Sequence, residues 1–137
     1  MRPLLALAAA ALAVAAFLPV SDPVVTVNAQ CDMGHLGAHS VTPDTVTVAQ
    51  DGNIDWELDA ASNATGFTVE PKRPGHWPYA NDEKFHGGKG NGHRARGNGK
   101  HMKKKAAGAY PYSLALGCVD AHGDTVQVTI DPTIIVH

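Results

Sequence analysis

The chain has 137 residues, with 11 Lys and Arg and 13 Asp and Glu, which gives a formal net charge of −2 at pH 7. This length leaves room for one domain. The near-neutral total also hides a basic segment, residues 84–105, within an otherwise acidic chain.

The first residues of the chain are typical of an export signal. A positive start at residues 1–2 precedes a run of Ala, Leu, Val and Phe over residues 4–18, about the length of a signal h-region. Because a transmembrane helix needs roughly 20 apolar residues, this run is too short to span a membrane comfortably. We therefore predict a periplasmic or secreted protein with no transmembrane segment after signal cleavage.

The Val-Asn-Ala triplet before Gln30 has the small or modest side chains that a signal peptidase reads, so we predict cleavage at that point. The chain would then divide into a signal peptide over residues 1–29 and one domain over residues 30–137. A cut after Ala15 or Ala16 is the alternative.

Alternating apolar and polar residues predict several strands in the first half of this domain. Residues 30–40 show no clear period and are interpreted as a lead-in to the first strand, residues 41–48. An Asp-Gly-Asn turn signal separates that strand from residues 54–58, whose apolar side chains share one face. Residues 67–69 are predicted to form a further short strand.

The segment over residues 71–107 shows no lasting strand or helix pattern, which predicts a long loop. Its second half, residues 84–105, contains eight Lys or Arg, six Gly and three His but no Asp or Glu. The rest of the predicted domain carries two basic residues and 12 acidic ones, so a basic loop lies within an acidic body. The cationic residues of the loop are Lys84, Lys89, Arg94, Arg96, Lys100, Lys103, Lys104 and Lys105.

These cations are candidates for binding a polyanion such as nucleic acid, anionic lipid headgroups or acidic polysaccharide. Flexible Gly spacing would let several charges reach separate anionic groups. The loop lacks interleaved aromatic residues, which argues against stacking on single-stranded bases. The alternative is a solvated insertion whose charge offsets the acidic body, and salt-dependent binding distinguishes the two.

Residues 108–137 predict a β-hairpin and a closing tail. Apolar residues alternate from Tyr110 to Cys118, a turn with Gly and Asp follows at residues 122–124, and alternation resumes over residues 126–130. An isolated hairpin is marginal in water, so other strands must cover its apolar face. Because no helix pattern follows the signal, the expected fold class is all-β, an antiparallel sandwich or barrel.

The chain contains two cysteines, Cys31 at the start of the predicted domain and Cys118 at the end of the first hairpin strand. In an exported protein the simplest interpretation is one disulfide that ties the leading segment to the core. The distance between the two Cα atoms in a structure tests this pairing.

Four local patterns share an order and spacing with a known family. They are Gly52…Trp56, Gly66-Phe67-Thr68-Val69, Gly108-Ala109-Tyr110-Pro111-Tyr112 and Ile130-Asp131-Pro132-Thr133-Ile134-Ile135-Val136. Together they resemble the cupredoxin-like domains of exported bacterial proteins over residues 40–137, with the basic loop as an insertion. The resemblance implies a Greek-key β-sandwich.

The resemblance also implies a mononuclear blue copper centre, with one His from a middle strand and Cys, His and Met from the loop between the last two strands. This sequence has Thr65-Gly66 where the family carries the first His, and Leu114 where it carries Cys. We therefore expect no blue copper site and no cofactor. The alternative is a displaced copper site from Cys118 and His122, which excludes the disulfide because a metal thiolate cannot also be bonded to a second cysteine.

Histidines outside the family's positions offer a second set of candidate metal ligands. Neutral imidazole is a good ligand for zinc, copper and nickel. These residues share no tight ligand spacing, so surface histidines in a Gly-rich loop are the alternative. They are His86, His93 and His101 in the basic loop, with His35 and His39 near the start of the predicted domain.

No catalytic constellation is evident in the sequence, so we expect a protein that is not an enzyme. Ser40, Ser62 and Ser113 lie in no nucleophile elbow. Asp55 and Glu57 alternate on the exposed face of a strand rather than forming an acid/base pair.

Three functional hypotheses follow from the sequence. The first is a non-catalytic binding or structural module without blue copper, whose partner is another exported protein or an anionic surface polymer. The second is a periplasmic copper-binding or electron-transfer protein with displaced ligands. The third is a surface protein that binds polyanions through the basic loop.

Overall fold

The computed structural model describes residues 21–88 and 92–137. The predicted signal run over residues 4–18, both alternative cleavage points and Lys89 lie outside these residues. The described residues form ten strands, with 3₁₀ turns at Ala80–Asp82 and Gly99–His101. None of their helical segments has the length and apolar character needed to cross a membrane. The strands are β1 (Val24–Asp32), β2 (His35–Thr42), β3 (Thr45–Val48), β4 (Ile54–Leu58), β5 (Gly66–Pro71), β6 (Phe85–Gly88), β7 (Arg94–Gly97), β8 (Gly108–Val119), β9 (Thr125–Ile130) and β10 (Thr133–Val136).

The strands build two sheets that enclose one hydrophobic core. The first sheet has the order β2-β1-β4-β7, and the second has the order β3-β10-β8-β5-β6 with β9 also paired to β8. Most neighbours are antiparallel, but β1 with β4 and β3 with β10 are parallel pairs. The fold is therefore all-β and sandwich-like, which confirms the expected all-β class, but both sheets are mixed rather than purely antiparallel.

The predicted buried faces of the two clearest strands are confirmed. All three apolar side chains of β4 are buried. In β8, every second side chain from Tyr110 to Cys118 is buried, and β9 pairs with it as the predicted hairpin. The second hairpin strand is less covered than its alternation suggests, since Val126 is 37% exposed.

Aromatic side chains fill the middle of the core and join the two sheets. The Trp56 indole N–H donates to the Tyr112 hydroxyl at 3.1 Å, and the Phe85 ring stacks on Trp56 with the ring centroids 5.7 Å apart. Burial raises the pKa of Tyr112 to about 12, because desolvation penalises the phenolate. Burial also raises the pKa of Tyr79, whose hydroxyl has no hydrogen-bond partner among the described residues.

Residues 30–40, interpreted from the sequence as a lead-in, belong to a hairpin of β1 and β2. Strand β1 lies between β2 and β4 and buries Val25, Val27 and Ala29 completely. The predicted boundary before Gln30 therefore falls inside a core strand, and the fold begins upstream of it. The Val-Asn-Ala triplet satisfies a peptidase pattern and a strand pattern at once, so cleavage before Gln30 stays a prediction.

The segment over residues 71–107 is not the long irregular loop that the sequence predicts. Strand β6 pairs with β5, and β7 pairs with β4, so the segment contributes an edge to each sheet. Glycine at buried positions hides the alternation of these strands. A side chain at Gly87 would collide with the Phe67 ring, and one at Gly97 would collide with Tyr79.

Removal of residues 21–29 should destabilise the fold severely, since they include the fully buried Val25 and Val27. Burial of one Val side chain contributes roughly 1.5–3 kcal/mol. We expect the chain that begins at Gln30 to lose about 3–6 kcal/mol of unfolding free energy relative to the chain that begins at Ser21. Urea unfolding of both chains measures the difference. Equal midpoints, or a folded exported protein whose N-terminus is Gln30 by mass spectrometry, would contradict the upstream boundary.

Replacement of Tyr79 by Phe removes a buried hydroxyl without a partner, whereas Tyr112→Phe leaves the Trp56 indole N–H without its acceptor. An unsatisfied buried polar group costs about 1–3 kcal/mol. We therefore expect Y79F to raise the unfolding free energy by about 1 kcal/mol and Y112F to lower it by a similar amount. Urea unfolding compares these matched variants, each of which loses one hydroxyl. A loss of stability in Y79F would show that the Tyr79 hydroxyl has a partner in solution.

Candidate functional site

Two of the predicted polyanion-binding cations are paired with carboxylates of the neighbouring strand. Strand β7 is antiparallel to β4 and places Arg96 opposite Asp55 and Arg94 opposite Glu57. The Arg96 guanidinium donates to both carboxylate oxygens of Asp55 at 2.8 and 3.0 Å, and to Asp22 at 3.3 Å. The hydrogen bond to Asp55 raises the pKa of Arg96 above its already high ordinary value. The Arg94 guanidinium lies 3.7 Å from the Glu57 carboxylate.

A third cation of the predicted set, Lys84, lies 3.0 Å from the Glu70 carboxylate. For Lys84, Arg94 and Arg96, the geometry agrees with the alternative in which loop charge offsets the acidic body. Exposed ion pairs of this kind contribute little stability, typically below about 1 kcal/mol. An external polyanion would nevertheless compete with these carboxylates for the three cations.

Four further cations of the predicted set, Lys100, Lys103, Lys104 and Lys105, are exposed. In the part of the chain that the structure describes, no carboxylate lies within ion-pair distance of any of them. They occupy four of six consecutive positions. Positive charge is therefore concentrated at one place on the surface.

We call residues 103–105 the lysine turn, and its backbone is held at both ends. The residues on either side of it are only 6% and 1% exposed. The Lys103 N–H donates to the Pro78 carbonyl at 2.8 Å. The Gln50 side-chain amide donates to the Lys103 carbonyl at 2.6 Å and accepts from the Ala106 N–H at 3.0 Å. Gln50 therefore clamps both ends of the lysine turn.

A cleft of about 570 Å³ lies beside the lysine turn, between the 3₁₀ turns. In it, His101 Nδ1 lies 2.9 Å from a Glu83 carboxylate oxygen. Asn81 and Asp82 have left-handed φ angles of 60° and 49°, a conformation that Asn and Asp adopt more readily than most other residues with a side chain. The Asp82 carboxylate secures this bend by accepting from the Gly75 N–H at 3.1 Å. The lining residues are Ala80, Asn81, Glu83, Lys100, His101 and Met102.

The structure does not bring the candidate histidines together among the residues it describes. His101 lies in the cleft, and His86 Nδ1 lies 2.9 Å from the Thr68 hydroxyl. The described residues contain no group of three or more His, Cys, Asp or Glu arranged to hold a metal ion. The other candidates are His93 before β7, His122 in the turn after β8, and His35 and His39 on β2.

Cys31 and Cys118 form a disulfide that joins β1 of the first sheet to β8 of the second, with their Cα atoms 5.5 Å apart. The predicted pairing is confirmed. Because its sulfur is bonded, Cys118 cannot supply the thiolate of the displaced copper site with His122, and that alternative is wrong. A buried disulfide of this kind is typical of proteins that fold in an oxidising compartment.

Other side chains occupy the positions where the resemblance implies copper ligands. Leu114 is fully buried and pairs with Val69 of β5. The Thr65 hydroxyl donates to the Gly117 carbonyl at 3.3 Å. The described residues that line the depression of about 140 Å³ beside Thr65 supply no imidazole, thiolate or thioether.

Gln50 and Asn63 support these features, and no sequence pattern indicated them. The Asn63 side-chain oxygen accepts from the Cys31 N–H at 2.6 Å, and its amide group donates to the Cys31 carbonyl at 3.0 Å. This side chain therefore holds the backbone of one half of the disulfide. Each contact joins residues that are distant in the chain, so local periodicity carries no signal of it.

Comparison with protein-family models, with curated proteins and with solved structures finds no match to this chain. Its function therefore has to be inferred from its own residues and their geometry.

Loss of the disulfide should destabilise the fold substantially, because the bond spans a sequence separation of 87 residues. The chain entropy of a loop of that length corresponds to about 4.6 kcal/mol, and loss of a native disulfide typically costs about 2–5 kcal/mol. We expect C31S/C118S to unfold at a lower urea concentration than the wild type, and added reductant to lower the wild-type midpoint only. A wild-type midpoint that reductant leaves unchanged would be inconsistent with the bond.

Proposed function

We propose that the protein is an exported, non-catalytic binding module with a cupredoxin-like fold and without a blue copper centre. One observation carries the proposal: both cysteines of the chain are consumed by the Cys31–Cys118 bond. A blue copper site needs a free thiolate, and the family's position for that ligand holds Leu114. A module that keeps the sandwich without the metal would act through its surface.

The arrangement of the strands supports the cupredoxin-like part of the proposal. The four patterns that carry the resemblance fall on β4, β5, β8 and the region of β9 and β10, and β10, β8 and β5 are neighbours in one sheet. The chain passes from one sheet to the other after β2, β3, β4, β6 and β7. Such repeated crossing is typical of Greek-key sandwiches.

The disulfide supports the exported part of the proposal, because such bonds persist in oxidising compartments. The apolar run over residues 4–18 is consistent with the same localisation, because it has the length of an export signal. The proposed location is the periplasm or the exterior. There the partner is another exported protein or an anionic surface polymer.

Polyanion binding through the basic segment is the second candidate function. The specific observation that favours it is the set of four exposed lysines without a nearby carboxylate in the described chain. The arginines of β7 are already paired with Asp55 and Glu57, so a polyanion would have to compete with those carboxylates for them. The candidate polyanion-binding surface thus narrows from the whole basic segment, residues 84–105, to Lys100 and the lysine turn.

The metal-free proposal is tested by free-thiol titration and metal analysis of the protein purified from its export compartment. We expect no titratable thiol before reduction and no bound copper. Copper(II) added to the oxidised protein should give no intense absorbance at about 600 nm, the band of a thiolate–copper centre. The matched control is C31S, which frees the Cys118 sulfur. Stoichiometric copper in the native protein, or an intense band without reduction, would disprove the metal-free module.

A further inference from the structure

The lysine turn carries charge that the described part of the molecule does not neutralise. Lys72, Lys84 and Arg94 each lie within 3.7 Å of a carboxylate. No such partner lies near Lys100 or the turn residues 103–105 among the described residues. Because neighbouring like charges repel one another, an anionic ligand at this point would relieve an existing electrostatic cost.

The backbone of the lysine turn is organised before any ligand arrives. Gln50 bonds the Lys103 carbonyl and the Ala106 N–H, and the Pro78 carbonyl accepts from the Lys103 N–H. A ligand that binds a pre-ordered turn does not have to order its backbone, so less of the binding free energy is lost to entropy. This anchoring distinguishes the turn from a solvated basic tail.

The adjoining cleft has the chemistry of a site for a hydroxyl-rich ligand. Its volume of about 570 Å³ lies within the usual range of ligand sites, roughly 300–1,000 Å³. Asn81 and Glu83 offer an amide and a carboxylate to hydroxyl groups, while Ala80 and Met102 offer apolar contact. Lys100 lines the cleft and also belongs to the charged cluster, so one ligand can contact both.

We propose that the lysine turn and this cleft bind an acidic polysaccharide, a chain of uronate or sulfated sugars. The proposal rests on the exported binding module described above. The lysines would contact the carboxylate or sulfate groups, and the cleft would hold one sugar ring with its hydroxyls.

The surroundings of the turn favour a polysaccharide over other polyanions. The large hydrophobic side chains exposed in the described chain are Val24, Met33, Val119 and Val126, so no exposed aromatic ring is available there to stack on bases. None of the four lies within the lysine turn or lines the cleft, whereas stable membrane anchoring usually combines cations with an apolar element. A concave pocket beside the charges, lined by both polar and apolar groups, fits a sugar unit better than the smooth surface of a duplex.

The test titrates the protein with a size-defined heparin oligosaccharide and with an oligogalacturonate, by calorimetry at low and physiological salt. Each cation near a polyanion contributes about a fivefold factor in affinity, so K103Q/K104Q/K105Q should bind roughly 100-fold more weakly. The matched control, K72Q/K84Q/R94Q, removes the same net charge from ion-paired positions and should bind within about threefold of the wild type. Equal losses in the two variants, or no loss in either, would overturn the proposal.

Gln50→Ala tests whether the anchored turn matters beyond its charge. This variant keeps every lysine but removes both contacts that clamp the turn. We expect several-fold weaker oligosaccharide binding together with faster hydrogen exchange of the Ala106 amide. Unchanged affinity despite faster exchange would overturn the role of the clamp.

Duplex DNA of matched charge and vesicles with anionic lipid identify the ligand class. Weaker binding to both than to the oligosaccharides supports the proposal, and tighter binding to either through the same lysines overturns it. The test of the polysaccharide site can fail independently of the test of the metal-free module. Copper in the native protein would refute the module and leave the oligosaccharide titrations intact, whereas a triple variant with wild-type affinity would refute this site alone.

Discussion

The covalent bond between Cys31 and Cys118 joins strands that each have neighbours on both sides, β1 in the first sheet and β8 in the second. Deeper in the core, the Trp56 indole N–H bonds the Tyr112 hydroxyl and connects the same two sheets. Together these contacts hold the sheets at a fixed separation around the aromatic core. The disulfide also consumes both cysteine sulfurs of the chain, so the interaction that stabilises the sandwich leaves no cysteine thiolate to bind a metal.

The fold divides one basic segment into two parts with different surroundings. Pairing of β7 with β4 places Arg94 and Arg96 opposite acidic side chains, which offsets their charge within the sheet. The lysine turn lies beyond the end of β7, where the described chain offers no carboxylate within ion-pair distance. The uneven charge along the sequence thus becomes a neutral strand pair and a compact cationic site beside a cleft. This division is why the inferred binding surface is small.

The sequence predicts the buried faces of strands, because these depend on neighbouring residues. It does not predict contacts between residues that are distant in the chain. The apolar faces of β4 and β8 follow from simple alternation, and both are buried as expected. Strands β6 and β7 were not predicted because Gly87 and Gly97, which make room for Phe67 and Tyr79, fill every second buried position. Each four-residue strand then has only one apolar side chain, Phe85 or Ala95, which is too few to show an alternation. The fold class and the lysines of the candidate site could be predicted from the sequence. The cleft and the Gln50 contacts could not, since Gln50 gives no local sign of its partners.

The sequence by itself determined the all-β class, the buried faces of the main strands and the pairing of the only two cysteines, because each depends on local periodicity or on a count of residues. Only the tertiary structure decided that β1 begins before Gln30 and which cations lack a carboxylate. These properties depend on residues that meet across large sequence separations, such as the 53 positions between Gln50 and Lys103. The free energy of such contacts is set by three-dimensional packing, which no short window of the chain contains.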